Sequence, residues 1–179
     1  MGVISRLGVA GLAVMTAVSC RPEARSATDR SGDSAAGAAA TAGAQPAAGH
    51  YSLQDFARLR WLEGSWRGQL ADRSYFYERY RFLNDSTIAM HGFADSTFAR
   101  ATDSATLTLR GGTITDAGAS AQWAATRLDS SVVDFAPVHG TTDPFTWARE
   151  SSNRWTATLR SGDPARPHTT VYRMERVGR

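Results

Sequence analysis

The chain contains no lysine: all 20 basic residues are arginine, set against 17 acidic ones. This excludes chemistry that needs an ε-amino group, such as a Schiff base or the lysine of a phosphate-binding loop. The net charge of +3 is small, and from Asp55 onward arginines and carboxylates are interleaved. A nucleic-acid surface needs clustered cations, so nucleic acid is not an expected partner. There is one cysteine, Cys20, hence no internal disulfide. The four histidines are isolated, with no H-x-H, H-E-x-x-H or Cys/His cluster to hold zinc. A G-x-S-x-G nucleophile turn and a Gly-rich phosphate loop are also missing. No catalytic residue is assigned, and an enzyme has no support in these motifs.

What the chain does have begins with MGVISRLGVAGLAVMTAVSC. Arg6 gives a short basic start, and Leu7 to Val18 are small or apolar. That run is shorter than the ~20 residues needed to span a bilayer, and it has the proportions of a signal peptide. Its end, Ala17-Val18-Ser19-Cys20, resembles the lipobox of bacterial lipoproteins, with Ala17 where the usual box carries leucine. The resemblance implies removal of residues 1–19 and acylation of Cys20. Several acyl chains on one residue would anchor the protein stably to a membrane on its periplasmic face. Arg21 stands where an inner-membrane retention signal has aspartate, which points to the outer membrane. The alternative is an ordinary secretory signal with Cys20 incidental. Residues 20–50 are Ala, Gly, Ser, Thr and Pro with scattered charges and no aromatic residue. They have almost nothing to bury and read as a disordered tether.

From Tyr51 to Arg179 the composition is that of a folded domain. Ser52-Leu53-Gln54-Asp55 is a capping-box pattern, and Leu53, Phe56 and Leu59 fall at helical spacing. This helix should end near Trp61 or Leu62, with Gly64 turning the chain. Beyond it the pattern is strands and turns. In SYFYERYRFL, Phe76, Glu78, Tyr80 and Phe82 share one face; Tyr75, Tyr77, Arg79 and Arg81 share the other. TLTLR and TITDA are joined by Gly111-Gly112, a two-residue hairpin signal. SAQWAATRL, VVDFA, FTWARE, RWTATLR and HTTVYRMERV complete the series. The Asp-Ser pairs at 85–86, 95–96, 103–104 and 129–130 read as turn chemistry. Roughly eight to ten short strands with tight connections predict an all-β, antiparallel up-and-down barrel preceded by a short N-terminal helix. Closure is expected because an open meander would leave two bare edges.

Gly64-Ser65-Trp66 after a short helix resembles the start of the calycins: lipocalins, fatty-acid-binding proteins and nitrobindin-like barrels. The resemblance implies that Trp66 plugs one barrel end from inside and that an arginine of the last strand packs across it. Arg176 is the first choice, since it shares a face with Tyr172 and Met174; Arg173 is the second. Trp61 would be the lid over the same end. Trp61-Leu62-Glu63-Gly64-Ser65-Trp66, with Glu78 and Tyr80, is also similar to an uncharacterised bacterial lipocalin-like domain family. A later Asn-Pro-x-His-Asp-Phe-Pro motif of that family matches FAPVHGTTDPF only at Pro137, His139 and Phe145.

The resemblance implies a small apolar or amphipathic ligand inside the barrel, with Glu78, Tyr80, His139 and Trp147 as candidate contacts. An inward Glu78 would need a partner, because an unpaired buried charge is costly. It is either a polar anchor for a ligand or a general acid with raised pKa, a structural ion pair with an inward arginine, or in the opposite register and solvated. Trp123, Trp147 and Trp155 either line a cavity or fill a solid core. Two further readings stay open. The nitrobindin resemblance implies a haem barrel with His139 or His168 as ligand, and a filled barrel would instead serve a protein partner in the envelope.

Overall fold

The structure, a computed structural model, describes residues 49–162, 166 and 168–178. The leader, Cys20 and the tether as far as residue 48 lie outside the described residues. The first described residues are tied to the barrel: the Gly49 N–H donates to the Ala125 carbonyl (3.1 Å) and the Tyr51 N–H to the Gly112 carbonyl (2.7 Å).

The capping box forms as expected. Asp55 N–H donates to Ser52 Oγ (3.2 Å) and Ser52 N–H to Asp55 Oδ2 (2.9 Å). It opens a single-turn helix, α1 (Leu53–Ala57), which tightens at once into a 3-10 helix over Arg58–Leu62. Phe56, Leu59 and Leu62 recur every third position, the 3-10 period, and all three are fully buried. Leu53, expected on the apolar face, points to solvent and is 55% exposed. Burying each of the three inward side chains is worth about 1.5–3 kcal/mol, which holds this short segment onto the barrel.

Ten strands follow: β1 (Gly64–Gln69), β2 (Tyr75–Asn84), β3 (Thr87–Phe93), β4 (Ala101–Arg110), β5 (Thr113–Ala117), β6 (Gln122–Leu128), β7 (Val132–His139), β8 (Phe145–Arg149), β9 (Arg154–Ser161) and β10 (His168–Arg176). Each pairs antiparallel with its chain neighbours, and β10 returns to pair with β1. The protein is therefore a closed up-and-down β-barrel. The Gly111-Gly112 hairpin has φ of +57° and +82°, the left-handed pair that matches strand twist in a two-residue turn.

Two strands run further than their apolar pattern suggests. Strand β4 begins at Ala101, so Asp103-Ser104 is not a turn; these residues pair with Gly92 and His91 of β3. Strand β7 continues through Pro137 to His139. Pro137 lies opposite Trp123 where the register slips, a place that tolerates the missing N–H.

One face of every strand fills the barrel. Trp66, Tyr80, Met90, Leu107, Ile114, Phe135, Trp155 and Met174 are each at most 2% exposed. The aromatic rings meet mainly edge to face: Trp155 contacts Trp61, Trp66, Tyr80 and Trp147 with centroids 5.6–6.0 Å apart.

The helix end is sealed by one arginine. Arg176 lies opposite Trp66 in the β1–β10 ladder, and its guanidinium sits 4.2 Å from the centre of a Trp66 ring. Its Nη1 donates to the Glu63 carbonyl (2.7 Å), Nη2 to the Trp61 carbonyl (3.2 Å) and Nε to the Ser152 carbonyl (3.1 Å). Trp66 Nε1–H donates to the Leu62 carbonyl at 2.6 Å. The carbonyls at the end of the 3-10 helix thus find partners on the barrel. Gly64, at φ +128°, admits the guanidinium: a Cβ there would collide with Arg176 Nη1. Arg173 is outward and exposed.

Arg176→Leu is expected to cost about 2–4 kcal/mol in urea unfolding, the sum of three lost hydrogen bonds and the cation–π contact. Arg176→Lys should recover less than half of that, because an ammonium cannot fork to separated carbonyls while covering an indole. Gly64→Ala should destabilise by ~1–3 kcal/mol through backbone strain alone, before the clash is added.

The turn between β6 and β7 makes a prediction about acid. Asp129 accepts the Ser131 and Val132 N–H groups, each at 2.8 Å, and Arg127 Nη2 at 2.8 Å. These donors, the two backbone groups first, lower its pKa from 3.8 to about 2. A depressed folded-state pKa stabilises the fold above the unfolded value and loses that contribution as pH falls through the folded one. Stability should therefore decline between pH 3.8 and about 2, and Asp129→Ala should flatten that decline. Carboxyl NMR titration would show the Asp129 midpoint near the lower value.

Candidate functional site

At the end away from the Arg176 plug, the barrel is not filled. A cavity opens there, walled by Phe76, Glu78 and Tyr80 of β2, Asp116 of β5, and Trp123 of β6. Phe145 and Trp147 of β8, Trp155 and Leu159 of β9, and Tyr172 and Met174 of β10 complete the wall, with Asp143 at the rim. The cavity is small, ≈ 40 Å³; a single water needs about 10–15 Å³ on that measure. Beside the mouth runs a rim groove lined by Ser120, Ala121, Gly140, Thr142 and Gly162, and it shares Trp123 and Asp143 with the cavity.

Strand alternation explains each inward group. Glu78 and Tyr80 are two apart on β2, opposite Trp66 and Gly64 of β1. Tyr80 Oη donates to Glu78 Oε2 at 2.8 Å, and its ring stands edge-on to Trp147 and Trp155. Glu78 is thus turned inward, half-buried, and bonded to a neighbour two residues along its own strand. Trp147 is packed among Phe135, Phe145 and Trp155. Tyr172 meets Phe76 edge to face at 5.5 Å, and burial pushes its phenol pKa upward, so it stays a neutral donor. Trp123 Nε1–H donates to the Asp143 carbonyl at 2.8 Å, which fixes the rim segment to the wall.

Of the residues expected at a ligand site, Glu78, Tyr80 and Trp147 are brought together on one wall. His139 is not among them; it ends β7, exposed at the barrel edge. His168 begins β10 and is also exposed. Neither histidine lines the cavity, so as placed neither would ligate a haem held there. Among the described residues no group of three or more His, Cys, Asp or Glu is placed to hold a metal ion. The tryptophans in question do both things offered for them: Trp123, Trp147 and Trp155 line the cavity and also fill the core around it.

Sequence reasoning missed Asp116. It is 2% exposed and is the one buried charged or polar residue among those described. The signal was in TITDA, where Ile114 and Asp116 share a face, so an inward Ile114 carries Asp116 inward as well. Asp143 was missed because it sits in an irregular rim segment, where no periodicity assigns a direction.

Among the described residues no helix is long and apolar enough to cross a membrane. No protein-family model matches the chain, and no match is found among curated proteins.

Proposed function

We propose that this is a lipid-anchored envelope protein whose lipocalin-like barrel binds a small apolar or amphipathic molecule at its open end, without catalysing a reaction. The observation that carries the reading is the asymmetry of the barrel. One end is sealed by Trp66, Arg176 and the short helix; the other opens onto an aromatic cavity with a few polar groups. Concave, mostly apolar sites with a small number of placed polar atoms are where small molecules bind. The small volume sets a limit on the ligand. Only a group of a few heavy atoms enters the barrel, and the remainder lies in the mouth and along the rim groove.

The anchoring part of the proposal rests on Ala17-Val18-Ser19-Cys20, and the outer-membrane part on Arg21. The tether would let the barrel stand off the lipid surface with its mouth accessible. Cys20→Ser should move the protein from the membrane fraction to the soluble one.

Native mass spectrometry of the protein, released gently from its own host, is expected to show a reproducible added mass that disappears on denaturation. Tyr80→Phe keeps the ring and removes the hydroxyl from the cavity, so it should lower occupancy by that mass without unfolding the barrel. Bare protein in every preparation, with no small molecule changing tryptophan emission, would count against ligand binding.

A further inference from the structure

We propose that residues 49–51 form a latch on the seam between β5 and β6, and that release of this latch lets the cavity wall part to admit a ligand. The latch follows from backbone geometry; its role in admission rests on the ligand-binding reading above.

The first support is the pattern of strand pairing. Among the described residues, two seams of the barrel have only three paired positions, β1–β10 and β5–β6. Arg176 reinforces the first by tying it to the helix. In the second, Thr115, Asp116 and Ala117 lie opposite Ala124, Trp123 and Gln122, and the pairing then stops. Both strands run on toward the sealed end, β5 back to Thr113 and β6 forward to Leu128. A register shift in β6, between Ala125 and Arg127, falls at the same place. The two strands therefore form a fork, and a bare fork would leave backbone groups in need of partners.

The second support is what fills the fork. Gly49 N–H donates to the carbonyl of Ala125, the first β6 residue beyond the ladder. Tyr51 N–H donates to the carbonyl of Gly112, in the turn that leads into β5. One three-residue segment thus bridges both limbs. Its side chains are fitted to the place. A Cβ on Gly112 would collide with the His50 ring, and a Cβ on Gly49 with the Tyr51 ring. Each ring lies where only glycine leaves room, and Tyr51 also packs against the core. The attachment is still slight: two backbone bonds and two ring contacts are of the size that opens locally while the rest of a domain stays folded.

The third support is where the seam lies. Asp116 and Trp123, its middle pair, both line the cavity. That cavity is only ≈ 40 Å³, so a ligand group of more than a few atoms needs the wall to move. A three-position ladder is a place where it can, and the latch sits at the end of that ladder.

The test compares the full chain with a double variant, Gly49→Pro with His50→Ala. The proline removes the donor to Ala125, and the alanine removes the ring from Gly112; Tyr51 and its core packing are kept. Amide hydrogen exchange at residues 115–117 and 122–124 should rise by about tenfold, as expected from losing a backbone bond and a ring contact. Exchange at residues 66–68 and 174–176, the other three-position seam, should stay as it was, which also reports that the variant is folded. In stopped-flow fluorescence, the neutral apolar probe N-phenyl-1-naphthylamine should associate about fivefold faster with the variant, because a wall that opens more often is a smaller barrier to entry. Unchanged exchange at the β5–β6 seam overturns the latch, and so does a rise spread evenly over both seams. A local rise in exchange with an unchanged association rate overturns the role in admission. A probe that binds neither protein, while the β5–β6 seam still responds, supports the latch and counts against the ligand-binding reading.

Discussion

The barrel depends on how Arg176 joins its two chain ends. Strands β1 and β10 are the last to pair in an up-and-down meander, and they close the sheet. Their seam is where Arg176 lies against Trp66 while its guanidinium binds carbonyls of the 3-10 helix and of Ser152. One side chain therefore couples three events: ring closure, burial of the central tryptophan, and docking of the helix over the end. A guanidinium suits this because it is flat enough to lie on an indole and has donors pointing in several directions at once. Lysine, which the chain never uses, has neither property. The pair Trp61 and Trp66 brackets the corner for the same reason: one ring covers the seal from the helix, and the other supports the arginine from the barrel.

Sealing one end has consequences for the other. The interior aromatic residues form a continuous chain of ring contacts, mostly edge to face, from Trp61 through Trp155 and Trp147 to Phe145 and Trp123. Near the plug these rings are backed by Phe56, Leu59 and Leu62, and nothing is left open. Toward the mouth no helix among the described residues covers them, and the space between Tyr172, Leu159 and Trp123 opens outward. The open end thus has a rigid floor, because its deepest rings are also core residues. A site of this kind is preorganised: its walls are held by the same contacts that hold the fold.

Much of this was legible before the coordinates. The period-two pattern of SYFYERYRFL put Glu78 and Tyr80 on one face with Phe76 and Phe82, and the pattern of the last strand selected Arg176 over Arg173. Both assignments follow from alternation, which has only two solutions for each strand. What alternation could not supply was the extent of polar strands. Asp103-Ser104 has turn composition, and only pairing with Gly92 and His91 keeps it extended. Nor could it give the depth of a residue along the barrel axis. His139 and Glu78 each looked suited to a site, but His139 falls at the exposed edge and Glu78 on the inner wall. The helix was legible in its cap and, at Phe56 and Leu59, in its face; Leu53, at the first helical position, is exposed instead.

Asp116 is the one buried charged or polar residue among those described. It follows Ile114 on the inward face of β5, lies opposite Leu107 and Trp123, and is as buried as the hydrophobic residues around it. A valine or leucine there would satisfy the barrel's own pattern and avoid the desolvation of a carboxyl group. Sequences that specify one fold agree across local pattern, packing and polarity, and departures from that agreement gather at functional positions. Asp116 departs from it at the open end, on the cavity wall that also holds Glu78.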